Sequence, residues 1–79
     1  MTHITTGGIV KPPSHLLPLL TAEVISDGEA DLLQASGLYE YEPVWIGGRG
    51  YVGCLWPQRM GPNAPRFRQT SLETWIRVQ

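Results

Sequence analysis

The stretch Thr70-Ser71-Leu72-Glu73-Thr74-Trp75-Ile76 has the form of a helix start. Thr70 at the N-cap and Glu73 at the third helical position make a Thr-x-x-Glu capping box, in which the hydroxyl and the carboxylate satisfy two otherwise orphaned backbone donors. Leu72, Trp75 and Ile76 then fall at i, i+3 and i+4, on one face of that helix. The expectation is a closing helix that docks by Trp75 onto whatever lies upstream.

Upstream lies sheet. Val44 to Trp56 is aromatic and β-branched and divides around Gly47-Gly48-Arg49-Gly50, the pattern of a β-hairpin. A second loop follows at Gly61-Pro62-Asn63, with extended pieces at 58–60 and 65–68.

The first half of the chain is less regular. Residues 1–14 hold Gly7, Gly8, Pro12 and Pro13 without an apolar period and read as an extended arm, followed by a single domain over 15–79. Leu16, Leu17, Leu19 and Leu20 surround Pro18, which predicts an irregular or strand-like lead-in. Thr21 offers an N-cap for a first turn through Ala22, Glu23 and Val24. Ser26-Asp27-Gly28-Glu29 is another capping box, and it predicts a short turn and then a helix through Ala30, Leu32, Leu33 and Ala35 that stops at Ser36-Gly37. The order is arm, helix, hairpin, second loop and closing helix, a small α+β domain.

A chain of 79 residues holds one domain and a modest core. With 42% hydrophobic and 16% charged residues, wholesale disorder is excluded. Cys54 stands alone, so no internal disulfide forms. No charged start leads into an apolar run, and Pro18 breaks the longest apolar stretch, so a cytoplasmic protein without a membrane span is expected. The net charge of −1 speaks against a strong generic nucleic-acid binder. Its distribution is uneven: Lys11 against Glu23, Asp27, Glu29 and Asp31 leaves residues 1–39 at −3. Arg49, Arg59, Arg66, Arg68 and Arg77 against Glu40, Glu42 and Glu73 leave residues 40–79 at +2. An arginine-only basic face suits bidentate contacts to phosphate or to guanine edges.

No catalytic constellation emerges. Gly48-Arg49-Gly50-Tyr51-Val52-Gly53 matches the letters of a dinucleotide-binding fingerprint, but Val52, Cys54 and Trp56 alternate like a strand where that motif needs a helix. Cys54 lacks a base, since His3 and His15 both sit in the lead, and one Cys with two His fits no zinc spacing. The acidic residues 23–31 read as a solvated helix face, and most of the seven aromatics read as core. The expectation is a binding protein, not an enzyme, with neither metal nor cofactor.

The run from Trp56 to Ile76, Trp-Pro-Gln-Arg-Met-Gly-Pro-Asn-Ala-Pro-Arg-Phe-Arg-Gln-Thr-Ser-Leu-Glu-Thr-Trp-Ile, resembles the end of small winged helix-turn-helix proteins of the excisionase and AlpA type. Leu19 to Glu23 and Ala30 to Ser36 resemble that family's first helix and turn, with Val24 to Glu29 as an insertion. Leu38-Tyr39-Glu40-Tyr41-Glu42-Pro43 stands where a recognition helix belongs, yet it is acidic and holds a proline. The resemblance implies a winged-helix-like domain with a β-hairpin wing and a closing C-terminal helix. It also implies a DNA-binding accessory protein of a phage or mobile element: an excisionase, or a small transcriptional regulator. Arg49, Arg59, Asn63, Arg66 and Arg68 would then contact double-stranded DNA, with Asn63 at the wing tip, an integrase as partner and self-association on repeated sites. The alternative is a protein-binding phage product, either a virion or assembly component or an inhibitor of a host protein, which accounts better for the negative net charge.

Overall fold

The computed structural model describes residues 11–78, so the first ten residues of the expected arm, His3 among them, lie outside the described residues. A 3-10 turn at Ser14–Leu16 runs into helix α1 (Leu17–Thr21), then strand β1 (Val24–Ser26) and helix α2 (Asp27–Ala35). Four strands follow: β2 (Tyr39–Ile46), β3 (Gly50–Pro57), β4 (Arg66–Ser71) and β5 (Thr74–Val78). All five strands form one antiparallel sheet in the order β1-β5-β4-β3-β2. The last four make a meander, and β1 adds itself beyond β5. No helix among the described residues is long and apolar enough to cross a membrane.

This corrects the expected winged-helix-like fold. There is no closing helix: Thr70 to Ile76 spans the end of β4, a turn at Leu72-Glu73 and the start of β5. Leu72 is 87% exposed at that turn while Trp75 is 2% exposed, so the apolar face that the helical spacing implied does not exist. β-branched Thr70, Thr74, Ile76 and Val78 favour the extended state, and pairing with β1 and β4 gives β5 two hydrogen-bonded neighbours that a two-turn helix would lack. A register shift between Gln69 and Ser71 absorbs the turn as a bulge.

Further expectations change. Thr21 caps no helix start; it ends α1, its hydroxyl donating back to the Leu17 and Pro18 carbonyls. The leucine cluster around Pro18 is helical because the proline sits in the first turn, where its missing N–H takes nothing from the ladder. Val24 belongs to β1, and Leu38 to Pro43, the place of a recognition helix, leads into and forms β2.

Other local signals hold. At the N-terminus of α2 the Glu29 N–H donates to Ser26 Oγ at 3.1 Å and the Ser26 N–H donates to Glu29 Oε1 at 2.9 Å, a complete capping box. Gly37 follows the helix at φ 82°, a left-handed position that glycine takes without strain. The β2–β3 hairpin forms with its turn at Gly47-Gly48-Arg49.

The helices cover one face of the sheet. Leu16, Leu19, Ala30 and Leu33 from the helical side meet Ile25, Tyr39, Leu55, Phe67 and Trp75 from the strands. Trp75 is the keystone: its Nε1–H donates to Asp27 Oδ1 at 2.9 Å, and Tyr41 packs edge-on against it at 6.4 Å. Gly53 makes room for this pair, since a Cβ there would lie 2.8 Å from Tyr41 Cε1 and 3.1 Å from Trp75 Cη2. Tyr39 donates its hydroxyl proton to the Pro65 carbonyl at 2.6 Å, and burial pushes its pKa up to about 12. Nothing among the described residues covers the other face.

Candidate binding face

Side chains alternate across a strand, so residues directly opposite one another on neighbouring strands share a face. Glu42, Cys54, Arg68, Ile76 and Val24 are successive partners across all five strands, on the face turned away from the helices. One row further along, Glu40 lies opposite Trp56 and Arg66 opposite Val78. The Arg66 guanidinium sits 5.2 Å from the centroid of the Trp56 ring and joins the two halves of that row. Beyond Glu42, β2 presents Val44 opposite Val52, then Ile46.

Down the strands, these rows become stripes. β2 carries acid at Glu40 and Glu42 and aliphatic residues at Val44 and Ile46. β3 carries Val52, Cys54 and Trp56. β4 carries base at Arg66 and Arg68, and β5 with β1 carries Val78, Ile76 and Val24. A groove of about 150 Å³ opens on this face between Val44, Ile46, Trp56, Arg66, Arg68 and Val78.

Four of the five sequence-predicted contact residues are brought into this neighbourhood. Arg49, in the hairpin turn, lines a depression of about 20 Å³ with Ile46, Val52 and Arg68. Arg66 and Arg68 are two apart on β4 and share the central groove. Asn63, in the β3–β4 loop, lines a wider hollow of about 430 Å³ with Arg66, Arg77 and Val78. Arg59 stands apart. It is exposed, it takes φ 54° just after β3, and it serves the turn. Sequence reasoning missed the apolar lining and the acidic stripe. Val44/Ile46 and Val52/Cys54/Trp56 were visible as alternations, but only the register tells which face each set occupies.

Burial, the largest effect, pushes the Cys54 thiol up; Arg68 draws it down, Glu42 raises it and Arg66 lowers it, for a net upward shift. His15 lies in the 3-10 turn beside Leu16, across the sheet from that thiol. Among the described residues no group of His, Cys, Asp and Glu is gathered that could hold a metal. The glycines that imitate a dinucleotide fingerprint build the hairpin instead, with Gly48 at φ 81° and Gly50 at φ 83°. Trp56 Nε1 is buried without a hydrogen-bond partner among the described residues.

On the helical side, the outer part of the hairpin carries a second aromatic feature. Trp45 and Tyr51 are paired across the strands and pack edge-to-face at 5.2 Å, yet remain 62% and 72% exposed.

Comparison of the chain with protein-family models, with curated proteins and with solved structures finds no match in any of the three. The face has to be read from its own chemistry.

Proposed function

We propose that this chain is a non-catalytic protein-interaction domain of the cytoplasm whose partner docks on the sheet face that no described element covers. The observation that carries the reading is the mixture on that face: an apolar groove bordered by one acidic and one basic stripe. Exposed apolar area rimmed by charges of both signs is what a protein surface can match residue by residue. A nucleic-acid face would need one sign in excess, and here Glu40 and Glu42 stand two strands away from Arg66 and Arg68. A lone cysteine, which can form no internal disulfide, suits a reducing compartment.

DNA is the competing partner, because Arg49, Arg66, Arg68 and Asn63 line neighbouring hollows. One experiment separates the two. A photo-cross-linking residue is introduced at Val44, on the open face, or at exposed Leu32, on α2, and the protein is irradiated in a lysate of its source organism. Random-sequence duplex is titrated in parallel at low and moderate salt, with wild type and with Arg66→Glu/Arg68→Glu. The expected result is a defined protein adduct from position 44 alone and no salt-sensitive DNA binding. DNA binding that falls steeply with salt and disappears in the double variant would overturn the reading in favour of DNA.

A further inference from the structure

The stripes on the open face are self-complementary, and we infer that the surface that docks there is a second copy of this chain. This rests on the reading of that face as a protein-docking surface and names its occupant. The order of stripes is acid on β2, thiol and indole on β3, base on β4 and aliphatic on β5.

Two copies of one face can pack about a two-fold axis in only a few ways, and charge decides among them. An axis perpendicular to the strands lays each strand over itself, so Glu40 and Glu42 meet their own copies and so do Arg66 and Arg68. An axis parallel to the strands but running along β4 again sets arginine on arginine. An axis between β3 and β4 lays the acidic stripe of one copy on Ile76 and Val78 of the other. The axis that brings both charged stripes onto their opposites is the one parallel to the strands along β3. It lays β2 of each copy on β4 of the other, so Glu42 faces Arg68 and Glu40 faces Arg66 in the same rows, twice over. Val52, Cys54 and Trp56 then lie on the axis against their own copies, and Val44 and Ile46 close the apolar interior. The result is a two-sheet sandwich of the kind that antiparallel sheets with one bare face form, its layers about 10 Å apart.

The edges of the sheet point the same way. β1 is only three residues long, and β2 holds Pro43, which has no N–H to offer a new strand, so lateral pairing is discouraged at both edges. Association is left to the face.

The test is sedimentation equilibrium of the full chain over about 1 µM to 1 mM, which spans weak to moderate self-association. Three proteins are compared: wild type, Glu40→Arg/Glu42→Arg, and Arg66→Glu/Arg68→Glu. Circular dichroism of each verifies that it folds. The expected result is a dimer for wild type, weakened about tenfold or more in each charge-reversed variant alone and restored when the two variants are mixed. Labelling of Cys54 by a thiol reagent is expected to slow as wild-type concentration rises, which locates the interface on this face. A wild type that stays monomeric throughout overturns the inference, as does a dimer in which Cys54 labels at a concentration-independent rate, or variants that do not rescue each other. If one variant fails to fold, concentration dependence of Cys54 labelling in wild type decides by itself. A monomer whose position 44 still cross-links to a different protein removes the second copy as partner and keeps the docking face; a monomer that cross-links to nothing removes both.

Discussion

The chain contains the same local signal twice, and it folds in two ways. Ser26-x-x-Glu29 closes both bonds of its capping box and starts the longest helix among the described residues. Thr70-x-x-Glu73, with as good a hydroxyl and the same carboxylate, instead spans a strand end and a turn, where the Thr70 hydroxyl donates across to the Thr74 carbonyl at 3.3 Å. The difference lies in what each segment can bury. After Ser26, Ala30 and Leu33 recur on one side and reach the core. After Thr70, only Trp75 is fully buried, and it reaches the core better from a strand flanked by β1 and β4. The two segments also meet: the Asp27 N–H, at the first position of α2, donates to the Glu73 carbonyl at 2.9 Å, and the Trp75 indole donates to the Asp27 carboxylate. The box that forms is anchored on the one that does not. A cap is worth about 1 kcal/mol, whereas burying a large side chain is worth several, so packing decides.

That contrast can be broken experimentally. Trp75→Ala should cost most, about 3–5 kcal/mol by urea denaturation, since it empties the core and frees Asp27 as well. A loss under about 1 kcal/mol would mean that Trp75 does not hold the second segment in the sheet. Gly53→Ala comes next, at about 1–3 kcal/mol, because the added methyl meets the Tyr41 and Trp75 rings; a neutral result would show that this packing is looser than described. Ser26→Ala is expected to cost about 1 kcal/mol and to reduce helical circular dichroism. Glu73→Ala closes the series within about 0.5 kcal/mol, because only its backbone is engaged with α2. Should Glu73→Ala match Ser26→Ala, the second box would be capping a helix after all.

Three features upstream of residue 57 could be read directly: the capping box at 26–29, the stop at Gly37, and the hairpin around Gly47-Gly48-Arg49, each a short-range signal matched by short-range contacts. α1 could not, since the leucines around Pro18 read as irregular or strand-like. β1 was not readable, because three residues carry no period and Val24–Ser26 is extended only by virtue of pairing with residues 74–76. The C-terminal hairpin was masked by a competing local motif. For the candidate face, the arginines could be found one by one, and Arg49, Arg66 and Arg68 do assemble. Arg59 could not be told from them, since its left-handed backbone is a property of the turn. The stripes themselves need the register, as Glu42 and Arg68 are 26 residues apart in sequence and reach one row only through Cys54.

The pairing of β1 with β5 joins residues about fifty positions apart, while every other strand pair joins neighbours in the chain. In kinetic terms α2 and the meander β2–β5 can assemble locally, but the closure that pairs β1 with β5 carries the loop entropy of nearly the whole domain. Emerging from the ribosome, α2 can meet β2 early, but β1 has no partner strand until residues 74–76 have been synthesised, and until then that side of the core stays open. Slow refolding whose rate responds to changes in Ile25 or Trp75, and little to changes at the β2–β3 turn, is the signature this topology is expected to leave.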